Sequence, residues 1–440
     1  MKTDPLFTHL NTTLQTQDVE FLKLLYQFRC LTVISDAFRF FFSKIFPSMG
    51  YCEDRLQALC ENGLIEMTYY PPEEQEVIFL TQLGVDYVEA CVAKERNPIY
   101  GSMKSARQLR VNGRMIKHQL AVNTTALDLL ETADRLGVKY RYYDKLLAPA
   151  SFGGIPSDGI LILENRIVLL GIDTGSLRGD KLDHQWDSYR NFFDRLPQRY
   201  NDYAVTILIV FVSDDDYDAG SDTRRCSIAR SACNSGLVTE LDGKINLYAV
   251  DRNHACDLLE DNFDVFQTNF KMMRETAPSL AKEFHFNYYY TTDLLSEIEC
   301  ALPSCYICRS NNDDTIDVED GRSAEYLIDF WADGRLSVLN TILNIERIEN
   351  ALRNSYLARE IPYVVVVPDM RTVLRVMKSA GVSAFGKVYF TTPSRLKRSR
   401  SFPAALFRID EELVVWGYHD NSLKHAIFER KLHPYTNRTD

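Results

Sequence analysis

The stretch from Pro156 to Asp173 constrains the fold more than any other part of this chain. Two short apolar runs flank a Glu-Asn-Arg turn, a pattern that predicts a β-hairpin. Asp158 precedes the first strand and Asp173 closes the second, so each strand carries a carboxylate at one end. A polar helix is predicted next, with Gln185 and Tyr189 one turn apart on the same face. Two carboxylates and a polar helix face therefore define the first candidate site.

The elements around the hairpin predict an α/β (α+β) fold, with a mixed sheet flanked by helices. Apolar spacing predicts, in chain order, a helix at 118–136, a strand at 138–143, the hairpin, a helix at 180–196, a strand at 204–212, a helix at 224–235 and a strand at 244–250. A comparable order recurs further on, with helices at 292–302, 337–356 and 371–380 and strands at 306–309, 324–331, 363–367 and 387–390. We expect a diverged repeat of the first plan there, with Asp329 in the corresponding strand and no clear second site.

The N-terminal part predicts a winged helix. A helix at 18–28, one or two short helices within 31–46 and a helix at 51–62 precede a strand pair at 64–67 and 77–80, and a further helix follows Leu80-Thr81-Gln82-Leu83-Gly84. This order is typical of a DNA-binding module, although the third helix offers only Arg55 against three acidic residues. Modules of this kind also form dimers or bind proteins, so DNA contact and a homodimer both stay open.

These patterns divide the chain into four predicted segments. They are a winged-helix domain at 1–96, a basic connector at 97–117, a nuclease-like domain at 118–252 and a second α/β domain at 253–440. No apolar run approaches the roughly 18 residues of a membrane-spanning helix, and the N-terminus does not resemble a signal peptide. Ten scattered cysteines favour a reducing compartment. We therefore expect a cytoplasmic protein without a membrane partner.

The net charge of −11 disfavours binding of nucleic acid by the whole surface, so any DNA contact needs a local basic patch. Two patches are candidates. The first would form one stripe if the connector were helical, and it comprises Lys104, Arg107, Arg110, Arg114 and Lys117. The second lies in a serine-rich segment predicted as a loop, and it comprises Arg395, Lys397, Arg398 and Arg400. The alternative for both is an ordinary solvated surface.

The hairpin resembles the core of metal-dependent nucleases of the PD-(D/E)XK class. In that class, strand carboxylates hold a hard divalent cation such as Mg²⁺, and a lysine supports charge in the transition state. The resemblance implies Asp158 and Asp173 as weak metal ligands, and Gln185, Lys181 and Tyr189 as further catalytic residues if the site is active. The sequence departs from the class where it matters, because Gly171 occupies the acidic position and Asp173 the lysine position.

The wider pattern resembles the replication-relaxation family of mobile elements. The resemblance rests on the segment from Leu56 to Leu64, Leu80-Thr81-Gln82-Leu83-Gly84, His118, Asp158-Gly159, Ile172-Asp173-Thr174-Gly175-Ser176, and Lys181 with Tyr189. It covers roughly residues 15 to 200 and departs at Gly171, where the family usually has glutamate. It implies a role in processing plasmid or integrative-element DNA, double-stranded, beside a relaxase or a replication initiator.

Three hypotheses follow from the sequence. The first is a DNA-binding accessory protein whose nuclease-like domain is degenerate and inactive. The second is an active Mg²⁺-dependent DNA nuclease. The third is a protein-interaction scaffold or transcription regulator, which the net negative charge favours. The non-functional alternative for the site residues is a turn aspartate at 158, a turn cap at 173 and a solvated helix face at 185 and 189.

Overall fold

The protein is described from a computed structural model. The pattern of internal contacts divides the chain into two compact units. Unit 1 comprises Met1–Leu177 and Ser188–Ser213, and unit 2 comprises Arg178–Asp187 and Asp214–Asp440. The structure describes residues 9–10, 12–45, 48–93, 103–149, 152, 154–164, 166–174, 180–196, 203–212, 224–225, 227–232, 235, 245–262, 271–291, 305–310, 316–319, 322–331, 334–354, 361–380, 386–412 and 414–418. The predicted helix at 292–302 and the Gly175-Ser176 part of the family motif lie outside the described residues.

Unit 1 begins with a helical module and a small antiparallel sheet. Its elements are α1 (Thr16–Phe28), β1 (Cys30–Thr32), α2 (Phe38–Ile45), α3 (Met49–Glu61), β2 (Ile65–Tyr70), β3 (Gln75–Leu80) and α4 (Gln82–Val92). The strand order is β1-β3-β2. Ser48 and Thr81 begin α3 and α4, because each side chain accepts a hydrogen bond from a backbone N–H of the first turn. The helices and the β2–β3 pair lie where the winged-helix prediction puts them, whereas β1 was not predicted and overlaps the start of a segment predicted to be helical. The winged-helix assignment itself stays a prediction.

One face of this small sheet is covered by the chain that follows it. Cys30, Val77 and Phe79 pack in one cluster with Val111 and Leu120. All five side chains are almost inaccessible to solvent. The segment predicted as a basic connector is therefore part of the hydrophobic core of unit 1.

The connector is not one helix. It contains the four-residue helix α5 (Ala106–Leu109), a 3-10 turn (Gly113–Met115), and the start of the long helix α6 (Ile116–Arg135). Ser105 caps α5, and the Asn112 side chain accepts a hydrogen bond from the backbone N–H of Arg114. The expectation of a single helical stripe of basic residues is wrong, because Ser105 and Asn112 each begin a separate helical turn and the connector is therefore interrupted.

The larger sheet of unit 1 contains the predicted hairpin. Its strands within unit 1 are β4 (Tyr140–Asp144), β5 (Gly159–Leu163), β6 (Arg166–Asp173) and β7 (Ala204–Phe211), which neighbour one another in that order. The β4–β5 and β5–β6 pairs are antiparallel and the β6–β7 pair is parallel. Helix α7 (Asp180–Asp194) crosses from β6 to β7 in the chain. The two apolar runs of the predicted hairpin are therefore strands, and they are buried along nearly their whole length.

Unit 2 is built around a larger mixed sheet. Its described elements are β8 (Ile245–Asp251), α8 (Arg252–Asn262), α9 (Lys271–Lys282), β9 (Asn287–Tyr290), β10 (Cys305–Cys308), β11 (Val318–Glu319), β12 (Arg322–Ser323), β13 (Glu325–Phe330), α10 (Ser337–Leu343), α11 (Ile345–Asn354), β14 (Tyr363–Val366), α12 (Met370–Ala380), β15 (Val388–Thr391), α13 (Pro393–Arg398), α14 (Phe402–Ala405), β16 (Phe407–Ile409) and β17 (Val415–Gly417). The sheet has the order β17-β16-β15-β14-β13-β10-β9.

Two expectations for this unit need correction. The long helix predicted at 337–356 is divided at Asn344, whose amide group donates back to the carbonyl oxygen of Asn340. The segment with Arg395, Lys397 and Arg398 is the helix α13 rather than a loop, because Thr392 caps it and Pro393 suits its first position.

The two units share a pattern of strand pairing. In unit 2, β9–β10 and β10–β13 are antiparallel and β13–β14 is parallel, as in the series from β4 to β7. A helix precedes each series, and helical segments lie between the last two strands of each. This agreement supports the predicted repeat, whose common origin stays a prediction. In the second series, buried Asp329 accepts a hydrogen bond from the hydroxyl group of Tyr363 at 2.8 Å.

The mixed α/β class predicted from the sequence is confirmed. The restriction-endonuclease-like label and the four predicted segment boundaries stay predictions. Within the described part of the chain, no helix has both the length and the apolar character needed to cross a membrane.

Candidate functional site

The ends of β5 and β6 place Asp158 at the centre of a polar cluster in unit 1. Gly159 pairs with Leu170 in the antiparallel ladder, so Asp158 lies beside the end of β6. The backbone N–H of Ile172 donates to Asp158 Oδ2 at 2.8 Å, and the backbone N–H of Lys145 donates to the Asp158 carbonyl oxygen at 3.0 Å. The backbone of the hairpin therefore fixes the Asp158 carboxylate.

His118 is the partner of this carboxylate. Its Nε2 lies 3.0 Å from Asp158 Oδ1, and both side chains are about a quarter exposed. Helix α6 supplies this histidine in its first turn, after the 3-10 turn has set the direction of the helix. The sequence linked His118 to the family motif only, and the structure makes it the residue that binds Asp158.

The protonated form of His118 is favoured. Its pKa is raised above the ordinary value of 6.5, first by the hydrogen bond to Asp158, against which partial burial acts. The charges of Asp158 and Asp173 raise the pKa further, and the charge of Lys145 lowers it. The cluster therefore holds two carboxylates and two cationic side chains within electrostatic reach of one another.

Asp173 closes β6 as predicted. Its side chain is 3% exposed, and its carbonyl oxygen accepts a hydrogen bond from the backbone N–H of Val212 at 3.1 Å. Gly171, two residues earlier, is buried in the strand and offers no ligand. Asp173 is thus a buried carboxylate behind the His118–Asp158 pair.

The arrangement does not fit a magnesium ion. Mg²⁺ requires several oxygen ligands in near-octahedral geometry. Each carboxylate oxygen of Asp158 already has a donor, from His118 on one side and from Ile172 on the other. Among the residues that the structure describes, no group of three histidine, cysteine or acidic side chains is placed to hold a metal ion. The chemistry of this cluster is therefore that of a hydrogen-bonded acid–imidazole pair.

A second polar network lies directly behind His118. The next residue, Gln119, donates from Nε2 to Asp144 Oδ2 and to Asn123 Oδ1, both at 2.9 Å, and accepts from Arg29 Nη1 at 3.0 Å. Arg29 Nη1 also lies 3.6 Å from Asp144 Oδ1. Burial raises the pKa of Asp144, and the charge of Arg29 opposes that rise. The sequence did not predict this network, because it joins residues that are more than 80 positions apart.

The network joins the N-terminal module to the larger sheet. The amide group of Asn123 donates to the carbonyl oxygens of Phe28 and Cys30, at 3.0 and 2.5 Å. The Phe28 ring stacks on Tyr142 of β4, with 4.9 Å between ring centroids. Arg29 itself has a φ of +70°, an uncommon conformation for a residue with a side chain. The junction between α1 and β1 is therefore held from two sides.

The residues predicted on helix α7 are placed differently from Asp158. Tyr189 is fully buried, so the alternative of a solvated helix face does not hold for it, and Gln185 is half-buried with its Oε1 inaccessible to solvent. Lys181 and Gln185 belong to unit 2, whereas the cluster around Asp158 is built from unit 1 alone. The side chain of Lys181 lies outside the described residues.

Three of the predicted nucleic-acid contacts have partners within the protein. Arg55 forms an ion pair with the buried carboxylate of Asp18. Arg110 pairs with Glu66, and its guanidinium group lies 3.9 Å from the centroid of the Phe79 ring. Arg395 donates from Nε to the carbonyl oxygen of Ala405 at 2.9 Å, and stacks over Phe407. These arginines contribute to packing, because each guanidinium group already has a partner within the protein.

The other predicted contacts are more accessible. Lys104 is half-buried, and the remaining residues are exposed: Arg107, Arg114, Lys117, Lys397, Arg398 and Arg400. Lys145, directly after β4, is exposed as well, but it was not among the predicted contacts. Its sequence signal was weak, because a lysine after a strand is commonly a solvated end.

Comparison with models of known protein families gives a match to part of the chain. The model of a family described as replication-relaxation matches residues 22–207. No curated protein and no solved structure matches the chain at a significant level. The matched range begins within α1 and contains the rest of the helical module, the connector, the His118–Asp158 pair and the strands up to the first half of β7.

Proposed function

We propose that this protein is a DNA-binding accessory factor in replication or relaxation, because the model of the replication-relaxation family matches residues 22–207. From the family resemblance, we further propose plasmid or integrative-element DNA as its ligand and a relaxase or a replication initiator as its protein partner. The observation that carries the proposal is the family match itself, since the matched range encloses both the exposed cations of the connector and the His118–Asp158 pair.

The exposed cations provide the chemistry for DNA contact. Arg107 and Arg114 are exposed, and neither has a hydrogen-bond or ion-pair partner through its side chain among the described residues. Cations of this kind neutralise phosphates and release counterions, which is the main source of non-specific affinity. The third helix α3 is a poor candidate for groove reading, because Glu53 and Asp54 are exposed on it while Arg55 is paired with Asp18.

We further propose that the nuclease-like part is inactive as a magnesium enzyme. Gly171 removes the acidic ligand of the nuclease pattern, and both oxygens of Asp158 accept hydrogen bonds from the protein. Losing both ligand positions weakens metal affinity and the charge support for cleavage. The nuclease pattern would then serve as a scaffold on which DNA is held.

The test is DNA binding by fluorescence anisotropy as a function of salt. We expect wild-type affinity to fall steeply with salt, and the double variant Arg107→Ala/Arg114→Ala to have a slope of log K against log[salt] lower by about 2, because each lost phosphate contact removes about one unit. Arg141→Ala is the matched control, since Arg141 is an exposed arginine of β4 outside the connector. Wild-type protein without affinity at low salt would reject the proposed function.

A further inference from the structure

The rim of the Asp158 cluster is positively charged. His118 comes from the first turn of α6 and binds the Asp158 carboxylate, and Lys145 follows β4 and donates its backbone N–H to the Asp158 carbonyl oxygen, so two separate elements bring basic residues to Asp158. Arg114 is exposed in the turn that leads into α6, and Lys117 is exposed in the first turn of α6. The carboxylate of Asp173 is buried below, so the charges most accessible to solvent are cationic.

Lys145 is held in place by the hairpin. Its backbone N–H donates to the carbonyl oxygen of Asp158 at 3.0 Å, in continuation of the β4–β5 ladder. Its side chain is exposed, and its charge acts on the imidazole of His118. The position of Lys145 beside Asp158, at the end of β5, therefore follows from the strand register.

His118 presents one ring nitrogen outward. Its Nε2 is used by Asp158, and for Nδ1 the described part of the protein supplies no hydrogen-bond partner. The charged groups that face this ring are Asp158 and Asp173 from the hairpin and Lys145 from the end of β4. An acceptor oxygen of a ligand is the group that this nitrogen and the Lys145 ammonium group can bind together.

We propose that His118 and Lys145 form a phosphate-binding site that contacts an internal phosphodiester of the DNA backbone without a metal ion. Asp158 is then the positioning residue for His118 rather than a ligand of Mg²⁺. This proposal rests on the proposed function, because it names the group of the DNA that the cluster binds. The imidazole and the ammonium group supply the positive charge that a cation supplies in metal-dependent nucleases.

Lys145 offers a clean test, because the chain contains a matched control. Lys139 and Lys145 are both exposed lysines, and they flank the two opposite ends of β4. We expect Lys145→Ala to lower the slope of log K against log[salt] by about 1, and Lys139→Ala to leave it unchanged. Lysine keeps its charge throughout the neutral range, so this comparison does not depend on the titration of His118. The binding is measured with the full chain in EDTA, on labelled single strands and duplexes.

The role of Asp158 is tested by Asp158→Asn in EDTA and in Mg²⁺. The amide keeps an acceptor for a ring N–H and removes one negative charge. We expect the ratio of its DNA affinity to that of the wild type to be the same in both buffers, because no metal ion takes part. Thermal unfolding of each variant verifies that it is folded. Mg²⁺-stimulated binding by the wild type that Asp158→Asn abolishes would overturn the proposal in favour of a metal site.

The remaining outcomes separate this site from the wider function. If the wild type binds DNA but Lys145→Ala and Lys139→Ala have equal slopes, the phosphate site is rejected and DNA binding stands. If the Lys145→Ala defect appears only on 5′-phosphorylated strands, the ligand is a terminal phosphate and the internal phosphodiester is rejected. If the wild type binds neither strand form, both proposals fail.

Discussion

The substitution Gln119→Leu tests the polar network behind the candidate site. Gln119 is 8% exposed and binds Arg29, Asn123 and Asp144 through its amide group. Leucine has nearly the same size and keeps helix propensity, so the change removes hydrogen bonds without a large cavity. The loss should therefore report the network alone.

The magnitude follows from the three bonds. Two of them involve the charged groups of Arg29 and Asp144, at about 1.5 kcal/mol each, and the bond to Asn123 contributes about 1 kcal/mol. The apolar surface of leucine offsets about 1 kcal/mol of the loss. We expect the free energy of unfolding to fall by about 3 kcal/mol, since buried Asp144 is left with fewer donors.

The cost should depend on pH. The folded pKa of Asp144 lies above its ordinary value of 3.8, mainly because of burial. A raised folded pKa gives stability that is fully present below 3.8 and is lost as the pH rises through the folded value. Removing the Gln119 donor raises that pKa further, so the cost of the substitution should be largest at neutral pH and shrink toward pH 3.8.

The assay must separate the two units. All three tryptophans, Trp186, Trp331 and Trp416, lie in unit 2, so their fluorescence reports that unit. Urea unfolding followed by hydrogen exchange in peptides from α6 reports unit 1. Gln57→Leu is the matched control, because Gln57 is exposed on α3 and bonds only within its own helix, to Glu61. Equal costs for the two substitutions, or a cost independent of pH, would refute the reasoning.

The remaining predictions concern single side chains. Arg55→Ala should destabilise unit 1 by about 3 kcal/mol, because it leaves buried Asp18 unpaired, while the salt slope of DNA binding stays unchanged; a reduced slope would make Arg55 a DNA contact. Gly84→Ala should destabilise by at least about 3 kcal/mol in urea unfolding, since a Cβ there would lie 2.1 Å from the backbone oxygen of Leu64; wild-type stability would disprove that packing. The stabilisation by His118 relative to His118→Leu should be complete below pH 6.5 and disappear as the pH rises through its raised pKa; a difference that grows at alkaline pH would contradict the ion pair.

The hairpin was predictable because its signal is local. Apolar runs, a turn and flanking aspartates all occur within the stretch from Pro156 to Asp173, and the strands form there. Capping signals were local as well. The pair Asn112-Gly113 is a local turn signal, and it indicates a break in the connector that the spacing of the basic residues does not show.

The polar network was not predictable, because its partners are remote in sequence. Arg29 looks like an ordinary residue at the end of a helix, and only the fold brings Gln119 and Asp144 to it. Arg55 shows the same limit, since its partner Asp18 lies 37 residues away. A count of charges reveals where cations are, and it does not reveal which of them are already paired.

The covered face of the small N-terminal sheet bears on how the protein can be divided. A fragment ending at residue 96 would lose Val111 and Leu120, and would expose Cys30, Val77 and Phe79 on strands β1 and β3. An exposed apolar strand surface of this kind favours aggregation. The helical module and the connector are therefore expected to be inherited, expressed and exchanged between proteins as a single piece that extends at least through α6.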